Sequence, residues 1–175
     1  MKLLVAVASK YGGTQEIAFV IGKTLSNSGI DTDIRNVEID GDVAAYDAVI
    51  LGSAVYNGNW LKSARDFAEL HAEELAVRPT WLFSSGPVGK PLKPAAHEQV
   101  LATKIMPRIR AREHRIFAGK LDKNRLNLRE RAIVRLVSGA EGDFRDWDEI
   151  ESWAHQIAEI LNRERVAVPR GNEKY

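Results

Sequence analysis

No cysteine occurs among the 175 residues. That absence excludes disulfides, thiolate metal sites, cysteine-ligated iron–sulfur clusters and cysteine nucleophiles. The four histidines are scattered and no G-x-S-x-G turn accompanies them, so a serine triad has no support; His97 has no nearby partner in the sequence. No apolar run approaches the length needed to span a membrane. Also missing are G-x-x-x-x-G-K-[ST], the loop for a nucleoside triphosphate, and G-x-G-x-x-G, the dinucleotide fingerprint. No residue set reads as a metal site, and no catalytic base is assigned.

What remains is an ordinary globular composition, 45% hydrophobic and 28% charged, long enough for one substantial core and short for two. The net charge of +1 conceals a strong asymmetry. Between Lys104 and Arg135 eleven basic residues face three acidic ones, while acidic residues gather between Glu141 and Glu151. A basic surface attracts nucleic acid, anionic lipid or an acidic partner alike. Nucleic acid is disfavoured, because no recognised binding motif accompanies the arginines. Met1 and Lys2 lead straight into an apolar run, so the expected location is cytoplasmic, with contact to the inner face of a membrane left open.

That first run, Leu3 to Ala8, does not alternate with polar residues and reads as a strand buried on both faces of a parallel sheet. It empties into Ser9, Lys10, Tyr11, Gly12, Gly13 and Thr14, after which Ile17, Ala18, Ile21, Gly22 and Leu25 recur at helical spacing, with Thr14 placed to cap the helix. Strand, glycine turn and helix N-terminus present backbone N–H groups to an anion. Two readings of the turn stand side by side. In one, the glycines only permit a tight connection; in the other, Ser9, Thr14 and the amides between them cradle a terminal phosphate, with Lys10 adding positive charge.

Gly29 is placed for a left-handed helix cap. Ile30, Thr32, Ile34 and Val37 suggest a second strand nearer the sheet edge, and Ala48 to Leu51 a buried third strand ending at Gly52 and Ser53. The loop Ser53, Ala54, Val55, Tyr56, Asn57, Gly58, Asn59, Trp60 carries two large rings, which either close the core or wall a planar ligand. A helix follows with Leu61, Ala64, Phe67, Ala68, Leu70 and Leu75 inward and His71 at its surface or boundary. Val77 to Ser85 is the fourth strand, and Ser84, Ser85, Gly86, Pro87, Val88, Gly89 and Lys90 form the third loop at the same sheet edge.

The next helix should include His97, Val100, Leu101 and Ile105 and end before Pro107. A fifth strand is expected over 113–120, stopping at Gly119. The basic stretch from Asn124 to Val137 has an imperfect apolar stripe that suits either core cover or a membrane surface, core cover being the ordinary role. A loop from Gly139 to Arg145 then leads to Asp146, a cap for a last helix with Trp147, Ile150, Trp153, Ala154, Ile157, Ala158 and Leu161 on its apolar face. One domain over 1–164 and a polar tail over 165–175 are expected.

Five strands separated by helices, with SKYGGT from Ser9 to Thr14 after the first, resemble a flavodoxin, although many flavodoxins begin that motif with threonine. The resemblance implies a doubly wound, five-stranded parallel α/β sheet with a basic helical insertion before the last helix. It implies FMN, its phosphate at Ser9, Lys10, Tyr11, Gly12, Gly13 and Thr14. The ring would lie between SAVYNGNW and SSGPVGK, with Tyr56 and Trp60 as stacking candidates and Gly52, Ser53, Ser85 and Gly86 offering backbone contacts. The chain layout, including DWDEIESWAHQIA from Asp146, is similar to the menaquinone-dependent protoporphyrinogen oxidase branch. That likeness implies a redox enzyme working with a quinone or porphyrinogen, with peripheral membrane contact through 123–137. The alternatives are a noncatalytic carrier of flavin or of a deazaflavin (F420), whose acidic tail would meet Lys10, Lys90 or Lys93, and a module that has lost its ligand.

Overall fold

Leu3, Val5 and Val7 point to one side of the first strand and Leu4, Ala6 and Ala8 to the other, and each set enters a separate core. This strand, β1 (Lys2–Ala8), lies in the middle layer of a three-layer molecule. The computed structural model describes residues 1–38, 42–56, 58–86, 105–122 and 141–167. Within them follow α1 (Gly13–Asn27), β2 (Asp31–Asn36), a short 3-10 turn at Val43–Ala45, β3 (Ala48–Tyr56), β4 (Asn59–Trp60), α2 (Lys62–Leu70) and α3 (Ala72–Ala76). Then come β5 (Thr80–Ser85), β6 (Glu113–Phe117), β7 (Lys120–Leu121), β8 (Gly142–Asp143) and α4 (Trp147–Ala167).

The main sheet has the order β2-β1-β3-β5-β6 with those five strands parallel, and β4 adds antiparallel to the end of β3. This is the expected doubly wound α/β fold. Strand β2 sits at the edge and is only partly buried, as its charged residues foretold. Helices α1 and α4 cover one face, where Ile17, Ile21, Trp153 and Ile157 pack on Leu3, Val5, Phe83 and Phe117. Helices α2 and α3 cover the other, where Phe67 and Leu75 meet Leu4, Val49, Leu51 and Leu82.

Several boundaries differ from expectation for local reasons. Helix α1 starts at Gly13 with no side-chain cap, so Thr14 is a buried first-turn residue and not the N-cap. At its other end Gly29 takes φ 83°, and Gly29 and Ile30 donate back to Ser26 and Leu25, the expected left-handed ending. The expected single helix over 61–75 breaks at His71, whose φ of −100° and ψ of 19° leave the helical region. Its inner stripe is Ala64, Phe67 and Ala68, and Leu70 is 76% exposed. Residues 105–109 are helical and include Pro107, whose fixed φ is compatible with a helix.

The fifth strand ends at Phe117, and Lys120–Leu121 instead pairs antiparallel with Gly142–Asp143, inside the stretch read as a loop. The cap on α4 is as expected: the Glu149 N–H donates to Asp146 Oδ1 at 3.0 Å. That helix runs to Ala167, so Arg165 and Val166 belong to it. The basic segment 123–137 lies outside the described residues, as do His97, Val100 and Leu101.

Gly52 sits inside β3, paired with Val7 and Phe83, and a Cβ built on it would come within 2.0 Å of the Phe83 ring. The glycine lets an aromatic ring lie flat across the sheet. Gly52→Ala is therefore expected to destabilise the fold by about 1–3 kcal/mol through overpacking. Urea unfolding reads this as a lower midpoint at an unchanged slope.

Candidate functional site

The carboxyl ends of β1, β3 and β5 finish on one edge of the sheet. At the first, the Gly12 N–H donates to Ser9 Oγ at 3.1 Å and Gly12 takes φ 85°, a left-handed conformation that glycine adopts without strain. The turn delivers α1 directly: its first ladder bond runs from the Glu16 N–H to the Gly12 carbonyl at 2.9 Å. The amides of Gly13, Thr14 and Gln15 therefore precede the ladder, at the positive end of a 15-residue helix that no side chain caps. Such an end is chemically suited to a phosphate.

The second loop reaches the first through its rings. Tyr11 and Tyr56 stand edge to face with centroids 6.2 Å apart, and the Lys10 ammonium lies 5.3 Å from one ring centroid and 5.2 Å from the other. Tyr56 is paired with Asn59 and Val55 with Trp60, and Gly58 between the two strands has φ 72°. Asn-Gly between two paired residues is the strongest short hairpin signal in a sequence, and it gives β4. Asn57 itself is outside the described residues. At the third loop, Gly86 takes φ 120° and donates its N–H to the Phe117 carbonyl; a Cβ there would lie 3.6 Å from that of Val55. Pro87, Val88 and Gly89 lie outside the described residues.

Not every candidate faces this edge. Trp60 is 2% exposed and belongs to the core beside Phe67 and Leu82, so of its two readings the structure gives it the core. Gly52 is spent on Phe83. Ser53 is buried within β3, its hydroxyl donating to the Ala54 carbonyl and accepting from the Leu61 N–H at 3.0 Å, which fixes the start of α2. Ser84 is buried as well. Ala54 and Ser85 are the last pair between β3 and β5, and Val55, Tyr56 and Gly58 beyond them are half-buried.

Ser84 carries a polar relay that no local pattern announces. Trp60 donates from Nε1 to Ser84 Oγ at 2.8 Å, and Ser84 Oγ lies 2.7 Å from His114 Nε2. The hydroxyl has one proton and two lone pairs, so it can take the indole proton and still pair with either tautomer of the imidazole. Burial pushes the His114 pKa below its ordinary value, against a smaller opposing effect of Glu113.

A second unannounced cluster braces α1. The Arg145 guanidinium, 2% exposed, reaches Glu16 Oε2 at 2.7 Å and the Gly13 carbonyl at 3.0 Å, and holds Asp143 through Nε at 2.7 Å. It stacks 4.4 Å from the Trp147 ring centroid, and Lys120 Nζ lies 3.8 Å from Glu16 Oε1. Asp143, hydrogen-bonded to Arg145, is held below the usual carboxylate range.

The comparisons agree with this architecture. The family model described as "Flavodoxin domain" matches residues 4–148. The chain is 28% identical over 177 residues to "Protoporphyrinogen IX dehydrogenase [quinone]" of Escherichia coli (strain K12), covering 93% of this chain and 98% of that one. Among solved structures it is similar to a flavodoxin from the domain Archaea, with TM-score 0.63, 19% identity and coverage of 93% and 99%. Oxidised Flavodoxin 1 from Bacillus cereus gives TM-score 0.62, 13% identity and coverage of 91% and 98%. Among the described residues no helix is long and apolar enough to cross a membrane.

The relay has a pH signature. With its folded pKa depressed, His114 contributes stability that is complete above its unfolded value near 6.5 and is lost as pH falls toward the folded value. Urea unfolding at pH 8 and pH 5.5 should show a fall in wild-type stability over this window. The fall should be smaller in His114→Gln, which keeps a polar group beside Ser84 and does not titrate.

Proposed function

The chain belongs to the flavodoxin domain family, and from that premise we propose that it binds FMN at the carboxyl edge of its sheet and passes electrons or hydride to or from a quinone or porphyrinogen. The observation that carries the reading is the uncapped end of α1 standing beside the Tyr11–Tyr56 pair: anion donors and an aromatic wall on neighbouring loops. The residues fit the cofactor chemically. Gly12 supplies the left-handed turn, the amides of Gly13, Thr14 and Gln15 suit a phosphate, and Lys10 adds positive charge without a carboxylate in the same loop.

FMN when bound supplies one-electron or hydride chemistry, and the protein's work is to hold and surround it. Ser9 holds the turn by accepting the Gly12 amide, Tyr56 would offer a planar ring an aromatic contact, and Gly86 brings the β5 end against Val55. No side chain is required as acid or base. The quinone or porphyrinogen half of the proposal is supported by the Escherichia coli relative, a protoporphyrinogen IX dehydrogenase [quinone] similar along nearly its whole length. A peripheral contact with anionic lipid through 123–137 belongs to the same proposal, since a quinone resides in the bilayer and the segment carries Lys123, Arg125, Arg129, Arg131 and Arg135.

The test is the absorbance spectrum of the purified protein, with mass identification of anything released on denaturation. One FMN per chain is expected, before or after reconstitution. A released deazaflavin would replace the cofactor, and a protein that stays colourless with either would end the reading. Tyr56→Ala should weaken FMN binding by about tenfold or less, because a ring contact is worth about 0.5–1.5 kcal/mol beyond its area. Fluorescence quenching of free FMN on titration with protein measures it.

A further inference from the structure

The buried guanidinium behind α1 touches the backbone of the very turn that the phosphate reading depends on. Its Nη1 donates to the Gly13 carbonyl, and the Gly13–Thr14 peptide is planar and trans, so fixing that carbonyl fixes the Thr14 N–H on the opposite side. The same nitrogen reaches Glu16, whose carboxylate stands in the first turn of α1, where it competes electrostatically with any anion at the helix end. With Lys120 on its other oxygen, Glu16 is neutralised from behind. The remaining face of Arg145 is fully engaged by Asp143 and the Trp147 ring, which holds the guanidinium in one orientation.

We propose that Arg145 is a positioning residue for the cofactor phosphate: it aims the Thr14 amide through the Gly13 carbonyl and cancels the charge of Glu16 at the helix end. The inference rests on the FMN reading above and assigns a role to a residue more than a hundred positions from the loop. It predicts a specific defect. Losing Arg145 should weaken ligands that carry the phosphate and spare those that do not.

The experiment compares binding of FMN with riboflavin, which has the same ring and no phosphate, by flavin fluorescence. The proteins are wild type, Arg145→Gln, Arg145→Lys and Glu16→Gln together with Arg145→Gln, each first checked for the wild-type circular dichroism spectrum. Wild type should prefer FMN. Arg145→Gln should lose about tenfold or more in FMN affinity, as for a hydrogen bond to a charged group, while riboflavin affinity changes by less than about twofold. Arg145→Lys should fall between, keeping the charge without the fork. Removing the Glu16 charge as well should return part of the FMN affinity, a recovery that loss of packing alone would not give. Equal losses for FMN and riboflavin, or no loss for FMN, would overturn the role of Arg145 while leaving the cofactor reading in place. If wild type binds riboflavin as tightly as FMN, the phosphate assignment itself fails, and this inference with it. Should Arg145→Gln fail to fold, the Arg145→Lys ratio decides: an FMN-to-riboflavin preference identical to wild type overturns the proposal.

Discussion

Parallel pairing of β1 with both β2 and β3 is the constraint on which the rest depends. Parallel neighbours cannot be joined by a tight turn, so the chain must cross the sheet each time, and the crossings supply α1 on one face and α2 and α3 on the other. The same geometry gathers the carboxyl ends of β1, β3 and β5 on one edge. Chain direction reverses its march across the sheet between β1 and β3, the switch point at which sheets of this kind generally take their ligands. The candidate site is thus a result of topology first and of residue chemistry second.

Much of this was legible in the sequence because it is local. Six consecutive apolar residues, Leu3 to Ala8, can be buried only with cover on both faces, and a glycine turn leading into a helix is written in six adjacent letters. Asp146 as a cap and Gly29 as a stop depend on their immediate neighbours, and both appear where the pattern puts them. The antiparallel pairing of Tyr56 with Asn59 is equally local, and the Asn-Gly pair between them is its signal in the sequence.

The rest depends on partners that sequence distance hides. Whether Trp60 closes the core or faces a ligand is decided by Ser84, 24 residues on, which takes its indole proton, and by β4, which turns the ring inward. Ser84 owes its own orientation to His114, a further 30 residues away. Arg145 is one arginine in a basic protein until the fold sets it against the Gly13 carbonyl, 132 positions earlier. Thr14 has the chemistry of a cap, yet a turn stabilised by Ser9 and opened by Gly12 starts the helix two residues sooner and buries the threonine.

The two-residue ladder between Lys120–Leu121 and Gly142–Asp143 brings the ends of the intervening stretch together beside α1. A segment whose ends are joined in this way is a cassette in the architectural sense: its length and composition can diverge while β6 and α4 keep their places. The sheet, the glycine turn and the last helix then form the chassis that carries it. New surface chemistry can enter at this port, where evolution or an engineer can exchange one module for another without rebuilding the machine around it.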